Sequence, residues 1–297
     1  MKGWLLTHTP EWRKFLPPTS PKVVTRRLLT FATALFGALA AAFAHGDLHE
    51  AIDAVSRVIA ESPGDAALLL RRAELHRQHL NWPAAEADYA QARKLQPDME
   101  VVAFGLAQMR LAQGRAKDAL TLLDDFLVKR PEHPGGRALR AGILEKRGDW
   151  KKADADLAAA VASSPEPHYA TVRAELLERH GQSDAAALCL DQASRARGRV
   201  PVLEQQALGI EERAGRTDAA LRRLDDLIAR EPRPDIWLAR KARLLEKAGR
   251  IGEARDAWQR AGAAFEKVPA DKRASKVNRK LAAEIEAGRA GAPAKAQ

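Results

Sequence analysis

Small and apolar residues recur along this chain with a period of 34 residues, interrupted once by a spacing of 33. Apolar or small side chains follow four and seven residues after the most regular position, as in Ala119, Leu123 and Phe126. Those offsets place the three residues on one face of an α-helix. Each copy is therefore predicted to contain an amphipathic helix. The regular position itself holds Ala51, Ala85, Ala119, Ala153, Ala186, Ala220 and Ala254.

A second helix is predicted ahead of each alanine, because a glycine lies five residues before it in most copies, as at Gly114 and Gly148. Glycine ends helices since it readily adopts the left-handed conformation. The segment before the glycine carries a small residue at position −7 and an apolar residue at position −5, such as Ala141 and Ile143. Leu80 takes the place of the glycine in one copy. Each copy is thus predicted to be a pair of helices.

The pattern resembles the tetratricopeptide repeat family, whose 34-residue helix–turn–helix unit has small residues at two packing sites and a proline near its end. Residues 68–97 match that unit best. The resemblance implies an all-α fold, a right-handed α–α superhelical solenoid of tetratricopeptide repeats. Prolines recur between the copies at the same spacing: Pro63, Pro97, Pro131 and Pro165. Six repeats are predicted within 66–268, at 66–99, 100–133, 134–166, 167–200, 201–234 and 235–268.

Partial elements are expected to flank the repeats, because the open ends of a solenoid need covering. A half-repeat at 45–65 is predicted as an N-terminal capping helix. A C-terminal capping helix is predicted in 269–287, at about 271–286, from the four-residue spacing of apolar side chains there. The remaining residues, 288–297, are predicted to be a disordered tail.

Residues 28–44 form an uncharged stretch of 17 residues that fits the repeat pattern poorly. Arg26 and Arg27 precede it, and Ala42-Phe43-Ala44 supplies a small-x-small cleavage signature. This layout is typical of a secretory signal peptide. We therefore predict a signal peptide at 1–44 and a periplasmic or secreted mature chain without a stable membrane span. Whether translation starts at Met1 or further along the chain is left open. An uncleaved inner-membrane anchor is the alternative, since 17 residues reach the lower limit of a span.

The formal net charge of +10 raises the question of a nucleic-acid partner. Residues 45–269, however, carry 36 basic and 35 acidic side chains, mixed along the chain. A nucleic-acid binder more often gathers Lys and Arg on one face, so no nucleic-acid partner is expected. The chain has one cysteine, Cys189, which excludes an intrachain disulfide and is interpreted as a small packing residue.

No catalytic constellation, phosphate-binding loop or paired-cysteine metal motif emerges, so neither an enzyme nor a cofactor is predicted. A metal-handling alternative rests on His45 and His49, which would lie close together at the mature N-terminus, near His76 and His79 on the next helix. Nitrogen ligands of this kind suit copper or nickel. In the competing interpretation both histidines are solvated neighbours of a helix cap.

The family resemblance implies that the first helix of each repeat lines a concave groove in which ligands bind. A peptide or partner protein is the implied ligand, and the chain is predicted to be an exported, non-enzymatic scaffold. Phe104 and Leu111 could instead turn into the core. The Lys and Asn clamp of the family's chaperone adaptors is missing from these positions. The predicted groove residues are Leu70, Glu74, Arg77, Phe104, Gln108, Leu111, Glu145, Glu175 and Arg243.

Overall fold

The computed structural model of the protein describes residues 48–291. Within that range the chain consists of helices and short connections, with no strand. The predicted signal peptide, the cleavage point and His45 lie outside the described residues. The all-α prediction is confirmed.

Each predicted repeat contains two consecutive helices. The half-repeat is α1 (48–61). The helices that follow are α2 (Ala66–Gln78), α3 (Trp82–Leu95), α4 (Val101–Ala112), α5 (Ala116–Lys129), α6 (Pro134–Lys146), α7 (Trp150–Ser163), α8 (Pro167–Arg179), α9 (Ser183–Ala196), α10 (Pro201–Arg213), α11 (Thr217–Arg230), α12 (Pro234–Lys247), α13 (Ile251–Glu266), α14 (Ala270–Arg273) and α15 (Lys276–Arg289).

The turn between the two helices of a repeat uses the left-handed conformation that the glycines predict. Gly148, for example, has a φ of 87°. Leu80 occupies the same turn in the first repeat and adopts a φ of 61°, which side chains with a Cβ disfavour. The turn geometry therefore follows the repeat even where the glycine is missing.

The described residues form two compact units that divide between Asp98 and Met99. The N-terminal unit holds α1, α2 and α3, and its core includes Ala73, Ala85 and Tyr89, all fully buried. The recurring alanine explains the close approach of α3 to α2, because a larger side chain would hold the helices apart.

The C-terminal unit holds α4 to α15 and stacks its repeats through one register position. Ile143 of α6 completes the core cluster of the preceding repeat, with Ala107, Ala119 and Leu123. Leu176 of α8 does the same one repeat later. The apolar residue at position −5 before the glycine is therefore the residue that joins neighbouring repeats.

The C-terminal cap differs from the predicted single helix at 271–286. The chain forms the short helix α14 and then α15, which begins at Lys276 because the Ser275 hydroxyl accepts a hydrogen bond from the Asn278 N–H at 3.2 Å. Helix α15 runs to Arg289, so the first residues of the predicted tail are helical. Gly288 lies against Trp258 of α13, so this last part of α15 packs on the preceding repeat.

Candidate functional site

The predicted groove residues of the N-terminal unit make contacts within that unit. Arg77 donates to Glu74 Oε2 through Nε and Nη2, at 3.0 and 2.8 Å. The Tyr89 hydroxyl donates to the other oxygen of Glu74. Burial raises the pKa of Tyr89, so this hydroxyl keeps its proton. Leu70, one turn earlier on α2, is half-buried.

Phe104 and Leu111 of α4 are half-buried and pack against the core cluster of their repeat. The Phe104 ring stacks on Phe126 with centroids 5.5 Å apart and lies 5.0 Å from the His133 ring. Gln108, on the same helix, is also half-buried. The apolar front of the predicted groove is therefore partly used by the core, as the competing interpretation expected.

His133 caps helix α6 and faces this aromatic cluster. Its Nδ1 accepts a hydrogen bond from the Gly136 N–H at 2.9 Å, which requires Nδ1 to be unprotonated. Burial, followed by the charge of Arg130, lowers the pKa of His133. The imidazole is thus held neutral by its surroundings.

Acidic residues at position −3 before the glycine form ion pairs with the next repeat. Glu145 lies 2.7 Å from Arg179, and Glu178 lies 2.7 Å from Arg213. Arg179 also approaches Glu175 to 3.9 Å. The predicted site residue Glu145 therefore contributes to the stacking of repeats, whereas Glu175 pairs within its own helix, and both remain half-exposed.

The last predicted site residue, Arg243, is exposed on α12. Its Nη1 donates to Glu284 of α15 at 2.5 Å. One turn along the same helix, Glu246 accepts a hydrogen bond from the Trp258 indole N–H at 2.7 Å. The charged side chains at this end of the predicted groove are thus engaged within the protein.

An exposed apolar row lies on the first helices of the C-terminal unit, at position −13 before the glycine. Val101, Val202 and Ile236 occupy this position in α4, α10 and α12, with exposed fractions of 41%, 53% and 40%. Gly135 and His168 hold the same position in the two repeats between. The predicted groove residues lie 10, 6 and 3 residues before the glycine position and so do not include this row, although it follows the same 34-residue period.

A buried ion pair joins the two helices of the first and third repeats. Arg72 Nε and Nη2 donate to the two oxygens of Asp88, both at 2.7 Å. Sixteen residues likewise separate Arg140 from Asp156, and the same atoms donate at the same distance. Both aspartates are buried. These pairs were not predicted, although they occupy equivalent positions in two copies.

Neither Cys189 nor the histidines of the N-terminal unit belong to an assembled catalytic or metal centre within the described residues. Cys189 is buried and burial raises the pKa of its thiol, so it behaves as a packing residue. The His49 and His79 rings lie 4.3 Å apart, and burial lowers the pKa of His76. Within residues 48–291, no group of three or more His, Cys, Asp or Glu side chains is placed to hold a metal ion.

Among the helices between residues 48 and 291, none combines the length and apolar character needed to cross a bilayer. The candidate span at 28–44 lies outside that range.

Curated relatives share part of the chain. It is 29% identical over 243 residues to Cellulose synthase operon protein C of Xanthomonas axonopodis pv. citri (strain 306), covering 75% of this chain and 16% of that protein. The protein of the same name from Pseudomonas fluorescens (strain SBW25) is 31% identical over 84 residues, covering 28% of this chain and 7% of that protein. The chain thus spans a small part of both relatives.

Among solved structures, a tetratricopeptide repeat protein from Parabacteroides merdae ATCC 43184 is similar with a TM-score of 0.44 and 14% identity, over 81% of this chain and 93% of that one. The family model described as tetratricopeptide repeat matches residues 37–100, 70–135, 104–167 and 210–271, more than half of the sequence. With its paired helices in register, the chain belongs to the tetratricopeptide repeat family.

Proposed function

We propose that the chain is an exported, non-enzymatic adaptor that binds a peptide or protein segment along the first helices of its C-terminal unit. Tetratricopeptide scaffolds typically serve protein–protein interaction. The observation that carries the proposal is the apolar row of Val101, Val202 and Ile236. Exposed apolar side chains that recur on one register position favour an extended or helical partner.

The glycine at position 142 supports the same surface. It lies within helix α6, where glycine costs about 1 kcal/mol relative to alanine. A Cβ added there would meet nothing within 4 Å, so packing does not require the glycine. Its absence of a side chain leaves room for a partner to approach the helix backbone. A rigid stacked scaffold would also lose little freedom on binding.

Site-specific photocrosslinking in the native host tests the binding surface. A photoreactive residue at Val202 or Ile236 should give discrete adducts, whereas one at Val128, an exposed position on the second helix α5, should not. Val202→Asp should abolish the adducts formed at Ile236, and Val128→Asp should leave them unchanged. Equal adducts at Val128 and Ile236 would contradict the assignment of this face.

Export is the second part of the proposal and rests on residues 1–44. The arginine pair, the apolar stretch and the Ala42-Phe43-Ala44 signature support a cleaved signal. The relatives' name refers to a cellulose synthase operon. Because so little of either relative is covered, a role in cellulose synthesis is not part of the proposal.

Intact mass of the protein from fractionated native cells tests export. A periplasmic or secreted species that begins at His45 is expected. A membrane-bound species that retains residues 28–44 would refute cleavage and support the anchored alternative, with the same adaptor surface.

A further inference from the structure

Within residues 48–291, many arginines of the C-terminal unit form ion pairs, whereas a group of unpaired basic side chains lies together at its C-terminal end. Arginines of the repeats, such as Arg179, Arg213 and Arg250, form ion pairs. A basic surface on α14 and α15 differs: its side chains are exposed and form no ion pair with a carboxylate among the described residues. We define this basic surface as Lys272, Arg273, Lys276 and Arg279.

The fold gathers these charges at the start of α15. Only Ala274 and Ser275 separate α14 from α15, so Arg273 and Lys276 flank the same short connection. Lys276 and Arg279 follow one another at helical spacing. The helix N-terminus adds about half a positive charge to this end. Asp271 is the one acidic residue between 270 and 283.

Val277, next to Lys276 in the sequence, borders the basic surface and is 78% exposed. The apolar stripe that begins with Val277 turns inward further along α15, because Leu281 packs against the core cluster that contains Trp258 and Ile285 is buried in it. Helix α15 is therefore anchored along this stripe and leaves an apolar side chain exposed at its start, beside the cations.

We propose that this basic surface docks on an anionic phospholipid bilayer. Clustered Lys and Arg are attracted to anionic headgroups, with a contribution from each residue near the surface. The long stems of these side chains can cover apolar surface while the charges reach phosphate, and Val277 enters the headgroup region beside them. Nucleic acid is disfavoured, because the near-neutral repeats offer no basic track along which a strand could continue. The inference goes beyond the adaptor function and does not depend on it.

A fluorophore at position 277 tests the docking in the full chain. Val277→Cys is labelled with an environment-sensitive dye in a Cys189→Ala background, which matches Ala257 at the equivalent repeat position. Val128→Cys, equally exposed on α5, is the control position. Vesicles of equal parts phosphatidylglycerol and phosphatidylcholine should shift emission to the blue at 277 and not at 128. Pure phosphatidylcholine vesicles should leave both unchanged. Because the dye responds to the polarity around position 277, its shift reports docking of α15 even if residues 28–44 also bind the vesicles.

Charge neutralisation provides the second test. Replacing all four residues of the basic surface by glutamine should lower the vesicle affinity reported at 277 by about a hundredfold or more. Replacing four exposed lysines of the repeats by glutamine removes the same charge and should change it less than about threefold. These control lysines are Lys94, Lys117, Lys129 and Lys151.

Several results would overturn the proposal. They are no shift at 277 with anionic vesicles, an equal shift at 128, or equal losses in the two glutamine variants. Binding of short duplex DNA as tight as vesicle binding, and lost in the same variant, would also refute lipid docking and indicate a general polyanion surface. Far-UV circular dichroism should show unchanged helix content, because the replaced side chains are exposed and unpaired.

Discussion

Removing one partner of the buried Arg72–Asp88 pair should destabilise the N-terminal unit far more than removing both. In Asp88→Leu the guanidinium loses two hydrogen bonds of 2.7 Å and keeps only the Ser56 hydroxyl, at 3.1 Å. Breaking a buried pair costs about 3–5 kcal/mol. The Arg72 side chain is 24% exposed, so water can partly solvate it, and we expect a loss of about 2–3 kcal/mol.

The double variant Arg72→Leu/Asp88→Leu should be within about 1 kcal/mol of the parent, because apolar pairs often replace buried ion pairs at little cost. The second repeat provides the precedent, since Leu106 and Leu122 hold these two positions there. Arg72→Leu leaves the buried Asp88 carboxylate unpaired and should cost at least as much as Asp88→Leu, so the completed cycle should give a coupling of about 3–5 kcal/mol.

Native-state hydrogen exchange of peptides from α2 and α3 is the appropriate measurement, because repeat proteins can unfold in parts. Peptides from α12 and α13 serve as the internal control and should not change. If Asp88→Leu lowers protection by less than about 0.5 kcal/mol, or the double variant loses the sum of the single losses, the pair does not stabilise the unit as described.

Three further changes should have measurable effects on exchange-derived stability. Leu80→Gly should stabilise the N-terminal unit by about 0.5 kcal/mol, because it relieves a positive φ at an exposed side chain. Lowering the pH from about 6.5 should weaken α6 by up to about 1 kcal/mol, because the pKa of His133 is lowered in the fold and its protonation removes the cap on Gly136. Gly288→Ala should destabilise α15 by about 2–3 kcal/mol, because the new Cβ would lie 2.4 Å from the Trp258 ring.

A control variant accompanies each of these three changes, to separate the proposed cause from a nonspecific change in stability. Gly114→Leu places a side chain in the same left-handed turn of the next repeat and should destabilise it by about 1 kcal/mol. His133→Asn keeps a capping acceptor without titrating, so the pH dependence of α6 should shrink. In the parent protein, the stability that the His133 cap contributes is complete above the unfolded-state pKa of histidine and is lost as the pH falls below that pKa. Gly252→Ala meets nothing within 4 Å and should be nearly neutral; a loss equal to that of Gly288→Ala would refute the steric explanation.

The repeat positions could be predicted because each depends on local chemistry that the sequence displays at a fixed period. Ala119 must be small to allow close helix packing, and Gly148 must accept a left-handed turn. The break before α15 could not be predicted in the same way. Val277, Leu281 and Ile285 all lie within α15, so their spacing predicts the helix but not the residue at which it begins. Ser275 sets that start, because its hydroxyl accepts a hydrogen bond from the Asn278 N–H.

Side-chain direction limited the prediction of the site. The period places Phe104 on the first helix but does not state that its ring stacks on Phe126. The Arg72–Asp88 pair was predictable from the sequence, because Arg and Asp recur together at a separation of 16 residues in two copies. The pair is visible only when two positions of a repeat are considered together, since an ion pair requires both partners.

The second repeat has an apolar pair where the first and third repeats have an ionic pair, and this difference disfavours wrong pairing between the second and third repeats. Tandem copies of one motif risk pairing a first helix with the second helix of another copy during folding. If α4 packed against α7, Leu106 would face the carboxylate of Asp156, which would then be buried without the Arg140 that normally neutralises it. This wrong pairing is thereby penalised, which favours the packing of α4 against α5.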